Sequence, residues 1–222
     1  MKRNKIALAV GTALLGMAGM VQAEISANIG ATSNYIWRGQ TQTTNEAAIS
    51  GGIDWDSGAG FYAGTWASNV DFGTTGAEVD LYGGFAGEAG DFGYDVGLIY
   101  YGYPQHNNID FTEVYGSVSF KFLEGGIYYT LDTEAGGADD HIYYYLTAGT
   151  DIADGWSISG TVGYYDIDGG SAADYTHYLA SVTKSAGDFG DFTLSVSALD
   201  GKTAGGYDED MLVAVSWGKS FN

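Results

Sequence analysis

Apolar and polar side chains alternate with a period of two residues along most of the chain after residue 23. Residues 92–101 read FGYDVGLIYY, with Phe92 and Leu98 on one parity and Asp95 on the other, and residues 156–165 repeat the rhythm. Successive residues of a β-strand point to opposite faces, so each segment has one apolar face and one small or polar face. The pattern predicts an all-β protein.

Turn residues divide the chain at regular intervals. Gly-rich stretches predict five short turns, which alternate with six longer polar links. Twelve strands are therefore expected. Their predicted limits are 25–37, 47–56, 61–70, 77–87, 92–103, 111–121, 126–132, 141–150, 156–166, 174–184, 191–200 and 209–221.

Short turns that alternate with longer loops are typical of a single antiparallel transmembrane β-barrel, with the short turns in the periplasm and the longer loops outside the cell. A soluble β-sandwich also alternates, but its outer face is rich in charged residues. Charged residues make up only 16% of this chain, against about 25% in an average soluble domain. The pattern favours the barrel.

The first 23 residues have the three parts of a secretory signal peptide. Lys2, Arg3 and Lys5 precede an apolar run, and small residues end at Ala23. We expect residues 1–23 to be cleaved after export, with a retained anchor as the less favoured alternative. Residues 24–222 would then form the barrel in the outer membrane of a Gram-negative cell.

Aromatic residues gather near the predicted strand ends, where barrels carry belts at the two membrane interfaces. The predicted girdle consists of Tyr35, Trp37, Trp55, Tyr100, Trp156, Tyr164 and Trp217. Phe221 closes the last strand and resembles the C-terminal sorting aromatic of outer-membrane barrels, although Asn222 follows it.

Charge and composition narrow the function. There are 28 acidic and 8 basic side chains, which give a formal net charge of −20 and exclude nucleic acid as a natural partner. The chain has no Cys, so disulfides, thiolate zinc sites and iron–sulfur clusters are excluded. We expect no cofactor, no metal and no catalytic residue.

The polar face of the strands supplies the candidate lining of the lumen. That candidate set is Arg38, Asp54, Glu78, Asp80, Asp95, Glu113 and Tyr115. Closely spaced carboxylates in a narrow pore attract cations, although the same acids could instead cap strand ends in bulk water. Arg38 could pair with Asp54, Glu78 or Asp80 as a brace, which we favour, or act as a selectivity cation.

Two segments resemble a known family. Residues 31–42 read ATSNYIWRGQTQ, and residues 60–73 read GFYAGTWASNVDFG. They are similar to the TorF family of proteobacterial outer-membrane porins, a β-barrel family of uncharacterised function. The resemblance implies a barrel and names no solute.

These observations predict an outer-membrane porin for passive diffusion of small polar, mainly cationic, solutes through a narrow acidic lumen. Its expected partners are outer-membrane lipid, the barrel-assembly machinery, periplasmic chaperones and the solutes themselves; its oligomeric state is open. One alternative is a pore-less structural or adhesive barrel. A less favoured one is a barrel enzyme such as a phospholipase, with His177 as the candidate base, but no Gly-x-Ser-x-Gly elbow is present.

Overall fold

The computed structural model describes residues 23–134, 140–167, 174–201 and 211–222. The predicted signal peptide lies, up to residue 22, outside the described residues. The described strands are β1 (Glu24–Thr32), β2 (Ile36–Trp37), β3 (Gln40–Thr41), β4 (Ala48–Asp56), β5 (Phe61–Asp71), β6 (Thr75–Ala89), β7 (Phe92–Gly102), β8 (Phe111–Phe120), β9 (Leu123–Thr133), β10 (Ile142–Ala153), β11 (Trp156–Asp166), β12 (Tyr175–Ser185), β13 (Asp191–Gly201) and β14 (Leu212–Phe221).

Twelve strands form one closed antiparallel barrel, in which β1 and β4 to β14 follow each other around the ring in chain order. The ring closes where β1 pairs with β14, with Ala27 opposite Phe221. Strands β2 and β3 stand apart as a two-stranded sheet. The predicted fold class is confirmed. Within the described residues, no helix is long and apolar enough to cross a membrane.

The period-two pattern separates the two faces of the wall. Aliphatic side chains such as Ile53, Leu98 and Val162 are 56%, 50% and 48% exposed on the outside. Their neighbours Asp54 and Gly163 face the interior and are buried. The apolar outer face and the polar interior are the arrangement of a barrel surrounded by lipid.

The two rims of the barrel differ. At one rim, which we call the short-turn rim, consecutive strands are joined by two to five residues, as at Gly90 and Gly155, whose φ angles are +66° and +65°. The start of β1 lies at this rim too, because Glu24 pairs with Asp56. The opposite rim, the long-loop rim, carries five links of eight or more residues; its sixth link, predicted as a longer one, consists only of residues 72–74 between β5 and β6. Which rim faces the cell exterior stays a prediction.

One predicted turn is wrong. Residues 123–125 belong to β9, and the turn between β8 and β9 consists of Lys121 and Phe122. Lys121 adopts the left-handed region at φ +58°, which only a few per cent of non-glycine residues do. Neither Lys121 nor Phe122 is a residue type typical of turns, so the pattern could not predict a turn at this position.

The first strand is also shorter than predicted. The prediction ran it from 25 to 37, but β1 ends at Thr32. Residues 33–47, which we call the inner loop, leave the wall and carry the β2–β3 hairpin. Both central residues of its turn have positive φ, with Arg38 at +46° and Gly39 at +86°, as a tight two-residue hairpin requires.

Candidate functional site: the barrel interior

The inner loop is held in shape by its own polar side chains. Asn34 Nδ2 donates to Asn45 Oδ1 at 2.8 Å, and Thr41 Oγ1 donates to Asn34 Oδ1 at 2.7 Å. Thr43 Oγ1 donates to the carbonyl of Glu46 at 2.5 Å. These bonds tie the two arms of the loop together, because short Asn and Thr side chains can satisfy nearby backbone and amide groups.

Tyr35 and Trp37 do not belong to an outer girdle, and that prediction is wrong for both. Trp37 lies inside the barrel, with its ring centroid 6.0 Å from that of Tyr101 and 6.2 Å from that of Tyr165. Its neighbours lie on β7 and β11, which are separated by three strands on the ring. Trp37 thus packs against two buried aromatic clusters that lie on different sides of the barrel interior. The prediction failed because it extended β1 through a segment that turns inward.

Tyr35 anchors the loop to β6. Its hydroxyl donates to Glu78 Oε1 at 2.6 Å. Burial, followed by the negative charge of Glu78, raises the pKa of Tyr35 well above its usual value of 10.0. The phenol therefore keeps its proton and remains a hydrogen-bond donor at neutral pH.

Arg38, at the tip of the hairpin, reaches the far wall and pairs with Glu113 on β8. Its two terminal nitrogens donate to Oε1 at 2.8 Å and Oε2 at 2.6 Å of that carboxylate. Arg38 is 7% exposed and Glu113 is 0% exposed. The partners expected from the sequence, Asp54, Glu78 and Asp80, are not the ones used. Because the inner loop places Arg38 beside β8 instead of beside those acids, sequence spacing could not identify Glu113 as its partner.

Four aromatic rings surround the same guanidinium. Its central carbon lies 4.2 Å from the ring centroid of Trp37, 4.4 Å from Tyr143, 4.9 Å from Tyr128 and 5.0 Å from Tyr165. A cation over aromatic faces is stabilised by the ring quadrupoles, most strongly when it is desolvated. The tip is therefore fixed by one bidentate ion pair and by stacking.

Gly39 brings the hairpin tip against β12 and β13. A Cβ atom added at Gly39 would lie 2.6 Å from the Cβ of His177 and 2.5 Å from Cδ2 of Leu199. Only glycine fits both this contact and the positive φ. The inner loop therefore reaches from β1 and β4 into the interior near the long-loop rim, where Arg38 contacts β8 and Gly39 contacts β12 and β13.

The other candidate acids lie in the interior near the inner loop or toward the short-turn rim, and tyrosine hydroxyls donate hydrogen bonds to several of them. Asp54 accepts from Tyr82 and from Asn28, the latter at 3.2 Å. Asp95 accepts from Tyr62 at 2.7 Å. Asp54 and Asp95 are each 8% exposed. Buried carboxylates require such donors, because an unpaired buried charge is costly.

Asp80 and Tyr115 complete the candidate set. Asp80 is 5% exposed, and its Oδ1 is buried without a hydrogen-bond partner among the described residues. The Tyr115 hydroxyl shares a short hydrogen bond with the Tyr62 hydroxyl, and the Tyr115 ring stacks on Tyr128 at 5.2 Å. The structure thus brings all seven candidates into the interior; that they line an open pore stays a prediction.

Glycines on neighbouring strands explain how so many tyrosines fit inside. A Cβ added at Gly64 would lie 2.6 Å from the Tyr82 ring, and one added at Gly97 would lie 2.5 Å from the Tyr115 hydroxyl. Each ring therefore lies flat on the wall over a residue that has no side chain. We call this part of the interior the tyrosine wall. It contains Tyr62 over Gly84, Tyr82 over Gly64, Tyr115 over Gly97, and Tyr145 over Gly126.

Sequence reasoning missed Glu124 and Tyr145 as members of this region. Glu124 was placed in a turn, but it accepts a 2.6 Å hydrogen bond from Tyr145 inside the barrel. The sequence did contain a signal for Tyr145. Tyr143 and Tyr145 are two residues apart and so point to the same face of β10, and Tyr145 lies opposite Gly126, whose missing side chain leaves room for the ring.

The opposite part of the interior carries small hydroxyl side chains, which we call the hydroxyl strip. It extends from β10 through β14 to β1 and consists of four hydrogen-bonded cross-strand pairs. They are Thr147–Thr161 at 2.8 Å, Ser181–Ser195 at 2.9 Å, Thr183–Thr193 at 2.9 Å and Ser216–Thr32 at 2.9 Å. All of these residues except the buried Thr147 are half-buried.

Four of the predicted girdle residues lie on the outer surface. Trp55 and Trp156 are each 42% exposed near the short-turn rim, and Tyr100 and Tyr164 are 39% and 40% exposed near the long-loop rim. Their contact with a membrane interface stays a prediction.

The last strand carries the remaining girdle residue, Trp217, and the predicted sorting aromatic, Phe221. Trp217 is half-buried, and its Nε1 donates to the carbonyl of Phe189 at 2.7 Å. Phe221 is 48% exposed on the outer face and pairs with β1. Its role in sorting is not tested by this geometry.

Nothing in the described part of the chain forms a group of three or more His, Cys, Asp or Glu side chains that could hold a metal. His177 is 3% exposed, and its Nε2 lies 2.7 Å from the Tyr143 hydroxyl. Within the described residues its hydrogen-bond partner is thus a tyrosine and not a serine.

The fold and interior define a closed twelve-stranded barrel with an inward-folded loop. Residues 18–207 match a family model described as "Bacterial protein of unknown function (Gcw_chp)", and the chain belongs to this family. No curated protein matches the sequence.

Several solved structures share the fold at low sequence identity. The KdgM porin is 6% identical, with a TM-score of 0.61 over 89% of this chain and 98% of its own. The NanC porin is 14% identical, with a TM-score of 0.55 over 90% of this chain and 100% of its own. The COG4313 outer membrane channel from Pseudomonas putida F1 is 13% identical, with a TM-score of 0.54 over 92% and 97%.

Proposed function

We propose that the protein is an outer-membrane porin that lets small polar solutes diffuse through the barrel and prefers cations. Export by residues 1–23 and insertion by the barrel-assembly machinery are part of this proposal. The observation that carries it is the charge of the interior. Five carboxylates with 8% exposure or less face a single guanidinium among the described residues. They are Asp54, Glu78, Asp80, Asp95 and Glu113.

Within the described residues, the single interior cation does not offset the negative charge of the acids. Arg38 forms a bidentate pair with Glu113, which neutralises that carboxylate. The other four carboxylates form no ion pair within the described chain. The field of the ionised groups among them acts across a low-dielectric wall and raises the local concentration of cations over anions.

The similar structures support the porin class and leave the solute open. One KdgM porin structure is a complex with disordered oligogalacturonate, an acidic oligosaccharide. The acidic interior of this chain argues against the same ligand, because like charges repel. The narrower TorF assignment is also a proposal, which rests on residues 31–42 and 60–73.

Potassium flux tests the proposal. Proteoliposomes that contain the folded protein, verified by heat-modifiable gel mobility, should release K⁺ faster than empty vesicles. The variant D95N/E124Q keeps both hydrogen-bond acceptors and removes two charges, so we expect slower K⁺ release. D200N, which removes an exposed acid on the outer parity of β13, is the matched control and should behave as wild type.

The inner loop favours one alternative, the pore-less structural or adhesive barrel. Arg38 pairs with Glu113 on β8, five strands from β1 around the twelve-stranded ring, so the loop crosses the interior near the long-loop rim. Folded protein that releases no K⁺ would support this alternative and contradict the porin.

A further inference from the structure

The two sides of the interior offer a solute very different surfaces. Along the tyrosine wall, rings fill the space over glycine, and their hydroxyls already bind Asp95 and Glu124. Along the hydroxyl strip, no inward side chain is larger than threonine at the level of Ser181 and Ser195, and the next inward residue of β12 toward the long-loop rim is Leu179. The free cross-section of the barrel must therefore lie beside the strip.

The hydroxyl strip also keeps hydrogen-bonding capacity that the tyrosine wall lacks. In the pair Ser181–Ser195, only one O–H can donate to the other oxygen. The second O–H and the remaining lone pairs are available to solvent or solute. The same holds for Thr183–Thr193. Thr193 in turn lies opposite Ser216, which bonds Thr32, so these residues form a row of exchangeable donors and acceptors from β12 to β1. Leu179 separates this row from the pair Thr147–Thr161.

Exposure agrees with this distinction. Ser181, Ser195, Thr183 and Thr193 are half-buried, so water reaches them inside the barrel. Nearer the long-loop rim on the same wall, Ser197 is 1% exposed. The strip thus lines an accessible chamber on the short-turn side of the inner loop.

We infer that solutes move through the barrel along the hydroxyl strip, and that the strip serves small hydrated cations and small hydroxylated solutes. This inference rests on the proposed porin function. In this account the carboxylates act at a distance through their field, whereas the hydroxyls make the direct contacts. Exchange between equivalent hydroxyl pairs allows passage, because binding at each one is weak.

The absence of Cys from the sequence makes the path measurable. Single cysteines are introduced at Ser195 on the strip, at Ser117 on β8 of the tyrosine wall, and at Leu194 on the outer face. Each variant is reconstituted in a planar bilayer and treated with a cationic methanethiosulfonate reagent. We expect S195C to lose about half of its conductance or more, as a narrowed pore should, while L194C stays unchanged and S117C loses much less.

The outcomes separate the two proposals. Block at S117C equal to or greater than block at S195C overturns the strip as the path and keeps the porin. Absence of current from every folded variant and from the wild type overturns the porin and the path together. T193C, the neighbouring strip position on β13, replaces S195C should that variant not fold.

Discussion

Replacing Arg38 with methionine should release the tip of the inner loop from the far wall. The substitution removes both hydrogen bonds to Glu113 and leaves that carboxylate fully buried, with Thr130 Oγ1 at 3.5 Å as its remaining hydrogen-bond partner. Breaking one partner of a buried ion pair costs about 3–5 kcal/mol. This corresponds to a factor of roughly 10² to 4 × 10³ in the equilibrium between the docked and the released loop.

Thiol labelling measures the release. Gln42 lies on the inner loop and is 8% exposed, so a cysteine there should react slowly with a maleimide. Adding R38M should raise the labelling rate by about two orders of magnitude, in line with the cost of an unpaired buried charge. Heat-modifiable mobility shows that the barrel itself remains folded.

The double variant R38M/E113L is the decisive control. Removing both charges leaves no uncompensated group, and apolar replacement of a buried pair is often neutral. Labelling of Q42C should therefore return toward the wild-type rate. Equal labelling rates in wild type and R38M would refute the view that the ion pair holds the loop.

Two further predictions concern the tyrosines. G126A should destabilise the barrel by about 1–3 kcal/mol, because its Cβ would lie 2.5 Å from the Tyr145 ring. G160A is the control, because its Cβ would meet only a carbonyl at 3.8 Å. Equal denaturation midpoints for the two variants would contradict the proposed packing of the tyrosine wall. Y35F should weaken loop docking by about 1–3 kcal/mol, since buried Glu78 loses a donor; unchanged labelling of a thiol in the inner loop would argue against this anchor.

The barrel itself could be predicted from the sequence. Strand residues such as Leu98 and Val162 show the alternation that separates a lipid-facing surface from an interior, and this rule needs no knowledge of long-range contacts. Most strand limits differ from the structure by only a few residues. The turn at Lys121 was misplaced because a charged residue adopts a positive φ there without a glycine signal.

The inner loop could not be predicted by the same rule. Ile36 and Trp37 continue the apolar rhythm of β1, so the pattern extends the strand past its end at Thr32. The inner loop folds inward because of contacts with β6, β8 and β12, whose residues are distant from the loop in sequence. The partner of Arg38 is 75 residues away, and no spacing rule identifies it.

The residues behind the family resemblance acquire a structural role. Residues 31–42 contain the hairpin and most of its anchors, and residues 60–73 cover β5, whose Tyr62, Trp66 and Val70 face the interior. The two segments that carry the resemblance thus build the inner loop and part of the wall beside it. A local motif in this chain encodes a long-range packing arrangement.

The reversal potential of single wild-type channels tests the central claim most directly. Folded protein is recorded in a planar bilayer with a tenfold KCl gradient, and the sign of the potential at zero current gives the preferred ion. The acidic interior predicts discrete current steps with a reversal potential displaced toward that of K⁺. Steps displaced toward the Cl⁻ potential would contradict the claim that the interior carboxylates make the barrel prefer cations.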